Sequence, residues 1–194
     1  MPFANPALTS IINRRTLYKL KPTLPTGLTL KQIQDAVHEV VKHTPTAHNS
    51  QPNRAIILTG KSHHKIWDHV VKEMGENSLG VRRPTSVRDE AFGSVFFFID
   101  EAITRKLQKE FPKHDFTFPL FDEQVTGAAQ IQTWTVLQSM GLGAHLQHYN
   151  FFIDDSLPED IPKSWKLKGQ LVFGTPIAGP REKIFQDNPI KIYD

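Results

Sequence analysis

The stretch Thr126 to Asn150 (TGAAQIQTWTVLQSMGLGAHLQHYN) constrains this chain more than any other. Ala128, Ile131, Trp134 and Leu137 fall on one apolar row at helical spacing, and Ala129, Val136 and Met140 on another. The spacing predicts a helix that is apolar or small around most of its girth and lies inside the protein. Gly141 ends it, because a glycine just past the last periodic residue takes the left-handed cap that other residues resist. Leu142-Gly143-Ala144 then leads into an extended segment, His145 to Tyr149, whose side chains alternate faces. A core helix followed by an ordinary turn accounts for this pattern. So does a site built on a glycine turn and two imidazoles.

At 194 residues the chain suits a single domain, 1–194, burying about 70% of its unfolded surface. It has no cysteine, which removes disulfides, a thiolate nucleophile and zinc–thiolate sites; with no apolar leader, a cytoplasmic setting, or a nuclear one, is expected. The longest apolar run, Val95 to Ile99, is far short of the roughly 20 residues a membrane helix needs, so no membrane partner is expected. The net charge is +3 and the pI about 9.1. With Arg82-Arg83…Arg88, these point to an anionic partner. A phosphate on a small molecule fits better than nucleic acid, which calls for a continuous basic face.

Asn5-Pro6 reads as a helix start, with Leu8, Ile11 and Ile12 as its apolar stripe. That helix should be short and packed, and it runs into Asn13-Arg14-Arg15-Thr16, two guanidiniums and a hydroxyl suited to a phosphate or carboxylate. As a bare charge pair the same residues would simply be solvated. A proline-broken linker follows from Lys21 to Leu28. Thr29 and Gln32 form a capping box for a helix with Ile33, Val37, Val40 and Val41 inward, ending near His43. Within it HEVVKH superficially matches a zinc motif, but its histidines lie five apart, about 140° round the helix, so no metal site is expected there.

Thr44 to Pro52 (TPTAHNSQP) is a polar loop whose Asn49 and Gln51 carry donor–acceptor pairs able to read the amide edge of a planar heterocycle. Arg54 to Thr59 and Gly93 to Asp100 read as strands covered on both faces, and Leu167 to Gly174 as a third. Ser62 should cap a helix on Ile66, Trp67, Val70, Val71 and Met74, with His63, His64 and His69 at its surface. Gly75 to Asp89 lacks periodicity and is expected to be a mobile basic loop. Glu101 to Glu110 reads as a helix, Phe111 to Phe121 as an irregular aromatic stretch, and Phe151 to Pro162 as a loop. From Thr175 to Asp194 prolines keep the chain extended. Ile190, Ile192 and Tyr193 would stay wet unless this tail wraps a partner subunit.

No dinucleotide fingerprint, P-loop or GxSxG elbow occurs, and no pair of carboxylates stands out as acid and base. If the chain is an enzyme, a cofactor carries its reaction.

Taken together and in order, NRRTLYKL, TPTAHNSQP, the central GAAQIQTWTVLQSMGLGAHLQHYN and QLVFGTP resemble the FMN-dependent nitroreductase family. They are nearest its fungal branch, the fatty-acid repression mutant nitroreductases. The resemblance implies an α+β fold with a central mixed, mostly antiparallel sheet flanked by helices. It also implies a homodimer that exchanges its C-terminal tails, with FMN held between subunits. On that pattern Arg14, Arg15 and Thr16 would hold the phosphate and ribityl chain. Thr46, Ala47, Asn49 and Gln51 would lie near the ribityl chain and flavin ring, Leu146, Gln147 and His148 beside the ring, and Arg181 and Lys183 at the phosphate. Many relatives have Lys or Arg where Tyr18 stands, Trp where Asn53 stands, and an acidic residue then Gly where His148-Tyr149 stand. The first departure points to charge supplied from the basic segment, by Arg82, Arg83 or Arg88.

The activity implied is a ping-pong oxidoreductase: NADH or NADPH gives a hydride to the flavin, and a nitroaromatic or quinone then takes the electrons. No protein nucleophile is required. The rival from another class is a flavin-binding regulatory protein of lipid signalling or the oxidative stress response, with the same cofactor and slow turnover.

Overall fold

The computed structural model describes residues 5–75 and 77–194. In order, the elements are α1 (Pro6–Asn13), β1 (Leu20–Lys21), α2 (Leu30–His43), β2 (Asn53–Thr59), α3 (Gly60–Met74), α4 (Arg82–Glu90) and β3 (Gly93–Asp100). They continue with α5 (Glu101–Glu110), α6 (Phe118–Ser139), β4 (Gly143–Gln147), α7 (Asn150–Ile153) and β5 (Trp165–Pro176). The sheet order is β1-β5-β3-β2, with β4 also pairing with β5. β5 is the shared strand: it pairs with β3 as far as Phe173, with β4 from Gln170 to Gly174, and with β1 at Thr175 and Pro176. The sheet was expected to be mixed but mostly antiparallel; every strand pairing among the described residues is antiparallel, and the one parallel contact is an isolated bridge between Thr16 and Ala144.

β3 explains why its sequence, GSVFFFID, is apolar throughout. Successive side chains point to opposite faces, and both faces are covered. Phe96 and Phe98 pack with Trp67, Val70 and Val172 on one side, while Val95 and Phe97 pack with Ile33, Trp134, Leu137 and Phe173 on the other. The fold is therefore a sheet with a helical layer on each face, α3, α4 and α7 against the first and α2 and α6 against the second.

Several local expectations change in the folded chain. The segment expected as a mobile basic loop contains α4, whose Pro84 and Val87 are buried; two anchors among nine polar-leaning residues are too sparse to register as a periodic stripe. His63 is not a surface residue but 1% exposed. It lies between Val87 O, 2.9 Å from Nε2, and the Ser94 hydroxyl, 3.2 Å from Nδ1. α3 begins at Gly60, and Ser62 does not cap it. α6 begins eight residues before Thr126, at Phe118 with Pro119 in its first turn, absorbing the end of the aromatic stretch; a 3₁₀ turn over Pro112–Thr117 precedes it. The 151–162 segment opens with the rest of α7 and a second 3₁₀ turn.

α6 is also not buried all round. Its inward row is Asp122, Val125, Thr126, Ala129, Gln130, Thr133, Trp134 and Leu137, whereas Phe121 and Ile131 remain 40% and 44% exposed. α1, expected to pack, buries none of its residues, and Leu8, Ile11 and Ile12 stand open. Beyond Pro176 the chain forms no regular element, and Ile184, Phe185, Ile190, Ile192 and Tyr193 are exposed. Among the described residues no helix is long and apolar enough to cross a membrane.

Candidate functional site

The site is built around the turn between α6 and β4. Met140 closes α6, and Gly141 takes φ +86°, a left-handed conformation that favours glycine. Gly143 then allows a close crossing, since a Cβ there would lie 2.8 Å from Leu20 Cδ2 and 2.9 Å from Pro176 Cβ. The turn lets β4 enter the sheet immediately, and the residues after α1 run beside it: Thr16 bridges Ala144, and the Leu17 amide donates to Ala144 O at 3.0 Å.

That segment is tied to the last turns of α6. The Arg15 amide donates to Gln138 Oε1 at 2.8 Å, and the Gln138 amide donates in return to Asn13 O. The Arg14 guanidinium lies 4.4 Å over the Trp134 ring, a cation–π contact. Burial, then the charge of Arg15, pulls the Arg14 pKa below its ordinary value. Trp134 keeps its buried Nε1–H without a partner among the described residues. Arg15 reaches the C-terminal segment, donating to Arg181 O at 2.5 Å.

Beside this tie lies a cleft of about 450 Å³ whose walls include Thr16, Tyr18, Lys19, Arg82, Arg83 and Arg181. Arg83 lies 3.9 Å over the Tyr18 ring, and Arg181 6.0 Å from it. Beneath Tyr18 is the His145 ring, 5.1 Å away. His145 is 1% exposed, and its pKa is pushed down to about 3 by burial and then by the charge of Arg83. Glu90 supplies the cleft's carboxylate. A cleft with this many cations favours an anion, and paired guanidinium donors favour a phosphate or carboxylate.

The fold therefore brings Arg14, Arg15, Thr16, Arg83, Arg181 and Gln147 to one edge of the molecule. Leu146 faces the other way and packs into the α2–α6 side of the core, as alternation along β4 requires. His148 is exposed just past the strand. Lys183 sits in the tail, 5.0 Å from the Phe185 ring. Arg88 does not join the cleft. Five residues from Arg83, about 140° round α4, it pairs with Asp68 at 3.1 Å and Asp89 at 2.7 Å; three carboxylate-facing bonds hold it on the α3 side.

Thr46, Ala47, Asn49 and Gln51 form a second, separate cluster. His48, Asn49 and Gln51 have φ of 54°, 51° and 53°, a strained choice for non-glycine residues. The loop is held by the Gln51 amide donating to Thr46 Oγ1 at 3.0 Å and the Gln51 side chain to Asn49 Oδ1 at 3.1 Å. The His48 ring stacks on Phe111 at 4.6 Å. Ala47 lines a shallow cavity with Phe121, Val125 and Ala128. Along α6, Ala128 and Gln138 are ten residues apart, about 15 Å, so within one chain this loop does not reach the arginine cleft.

Residues 11–176 match the model of the nitroreductase family. The chain belongs to the nitroreductase family. It is 52% identical over 187 residues to the putative nitroreductase HBN1 of Saccharomyces cerevisiae, and 50% identical over 186 residues to that yeast's nitroreductase FRM2, each alignment covering 96% of both chains. Its structure resembles the nitroreductase CinD of Lactococcus lactis solved with chloramphenicol, with a TM-score of 0.84 and 38% identity over 93% of this chain and 95% of that one. A putative nitroreductase of Desulfovibrio desulfuricans solved with FMN shares the fold alone, with a TM-score of 0.68 and 16% identity over 97% of this chain and 100% of that one. Sequence reasoning gave Gln138 no role, Trp134 only a place in the apolar row, and His145 only a place as one of two imidazoles after the glycine turn.

Proposed function

We propose that the chain is an FMN-dependent oxidoreductase that takes electrons from NADH or NADPH and passes them to nitroaromatics or quinones in a ping-pong cycle. The observation that carries this reading is the cationic cleft beside β4, where Lys19, Arg82, Arg83 and Arg181 line a wall with Tyr18, and the adjoining segment holds Arg14 and Arg15. That donor set fits FMN: guanidiniums suit its phosphate, Thr16 its hydroxylated chain, and the Gln147 amide the polar edge of its ring. FMN, when bound, supplies the redox chemistry by accepting a hydride from the donor and returning electrons to the acceptor. Arg14, Arg15 and Arg181 anchor the phosphate end through charge-assisted hydrogen bonds. Arg83, seated on Tyr18, supplies the positive charge that relatives take from a Lys or Arg at the tyrosine's position; a fixed cation in a partly dry cleft stabilises negative charge far better than solvent does.

Two copies complete the site. The open stripe of α1, the open face of α6 and the apolar tail residues are surfaces a lone chain leaves in water. A two-fold pairing through them would bring the strained 46–51 loop of one copy to the arginine cleft of the other. The chain's tail, including Lys183, would then wrap the partner. The FRM2 and HBN1 likeness, CinD's bound chloramphenicol and the FMN in the Desulfovibrio protein accord with the flavin oxidoreductase reading. The test is to purify the full-length protein, record its visible spectrum, titrate it with FMN and follow NADH and NADPH oxidation with 4-nitrophenol-type and quinone acceptors. A dimer that binds one FMN per chain and turns over supports the proposal. A colourless monomer that takes up no FMN ends it, and binding with negligible turnover moves the chain to the regulatory class.

A further inference from the structure

His145 has no role in the reading above, yet it is the most completely buried titratable group beneath the cleft. Its surroundings fix its chemical form. The Gln147 side-chain nitrogen lies 2.7 Å from Leu146 O and 3.0 Å from His145 Nδ1. A carbonyl oxygen can only accept, so the Gln147 atom between them must be the NH2 group. His145 Nδ1 must then accept as well, which leaves it without a proton and places the ring proton on Nε2. Both residues stand on one face of β4, two apart, while Leu146 faces the core. With its NH2 committed to Leu146 and His145, Gln147 retains Oε1 as its open acceptor among the described residues. The same imidazole lies under Tyr18, on which Arg83 rests.

We propose that His145 is a positioning residue for the cleft. As a neutral, Nε2-protonated imidazole it locks the Gln147 amide with its oxygen presented to the ligand, and it supports the Tyr18–Arg83 pair from below. The inference rests on the flavin reading only for its consequence: Oε1 of Gln147 then accepts from a ring N–H such as that of the isoalloxazine edge, whereas the reversed amide would set donor against donor.

The first test needs no cofactor. In full-length protein labelled with ¹⁵N-histidine, NMR should show two non-titrating imidazoles in the Nε2–H form between about pH 7 and pH 5, those of His63 and His145, the latter assigned by its loss in His145→Gln. In Gln147→Leu the Nδ1 signal of that ring should move, because its donor is gone. The second test reads FMN added to the protein. His145→Phe, which removes the acceptor, should weaken FMN binding about tenfold and shift the visible band of the bound flavin, and His145→Gln, which restores an acceptor oxygen, should recover most of both. The double variant His145→Phe/Gln147→Leu should bind no worse than either single variant, the mark of a coupled pair.

An Nδ1–H or charged His145 at pH 7 would overturn the proposal. So would wild-type affinity and spectrum in folded His145→Phe, or fully additive losses in the double variant. If His145→Phe does not fold, the tautomer and the Gln147→Leu response decide. Failure of the wild type to take up FMN would sink the cofactor reading alone and leave the NMR arm to judge the histidine.

Discussion

The two ends of α6 carry the two halves of the candidate site, and they are built in opposite ways. At the C-terminal end Arg14, Arg15 and Thr16 are tied to Trp134, Gln138 and Ala144, and the Tyr18 column stands on a buried imidazole. Nearer the N-terminal end the 46–51 loop holds itself together through its own side chains and left-handed residues, on a face of α6 that stays open. One half is organised by the chain's own core. The other has its shape already set but, within one chain, nothing to act on, which is the arrangement expected when a second copy supplies the rest.

The largest expected effect breaks this comparison at its joint. Ile131→Glu puts a charge on the open face of α6 at a position that is 44% exposed in the single chain, so the fold should tolerate it within about 0.5 kcal/mol. Dimerisation and FMN uptake should be lost together, as sedimentation and flavin absorbance would show; a monomer that still binds FMN tightly would mean the two halves act independently.

Acid should distinguish the ends next. Burial and its neighbours push the His63 pKa down to about 4 and the His145 pKa down to about 3, both below the ordinary value of about 6.5. Below about pH 6.5 the unfolded chain binds these protons and the folded one does not. The stability they confer is thus complete above that pH and is lost as pH falls, by about 3 kcal/mol for His63 alone by pH 4. Urea unfolding at a series of pH values measures this, and a flat profile through that window would contradict the buried neutral pair.

Arg14→Ala removes a cation from the organised half and should weaken FMN roughly ten- to a hundredfold, about 1.5 to 3 kcal/mol, by titration. Asn49→Ala in the self-held loop should cost less, up to about tenfold, with the dimer intact. Equal or reversed losses would redraw the division of labour. Smallest of all, Arg88→Gln should leave FMN affinity unchanged and cost under about 1 kcal/mol of stability, since its partners are surface carboxylates on α3 and α4. A marked loss of flavin binding there would return Arg88 to the cleft.

The sequence by itself determined the long strands β2, β3 and β5, the capping box of α2 and the glycine turn after α6, because each is a local matter of periodicity, capping or backbone conformation. Even the buried run of β3 declared that both its faces would be covered. Tertiary structure alone decided what those residues do to one another. Two apolar anchors sufficed to fold α4 once α3 was there to receive them, which set Arg83 on Tyr18 and turned Arg88 to Asp68. The packing of β4 against β5 made His145 a buried neutral imidazole when its neighbour His148 stayed in solvent. Which face of α6 was inside could not be read from a helix whose apolar residues lie on several sides; the sheet claimed one face and left the other open. These outcomes depend on contacts between residues far apart in the chain, and their energies appear only when the fold brings the partners together.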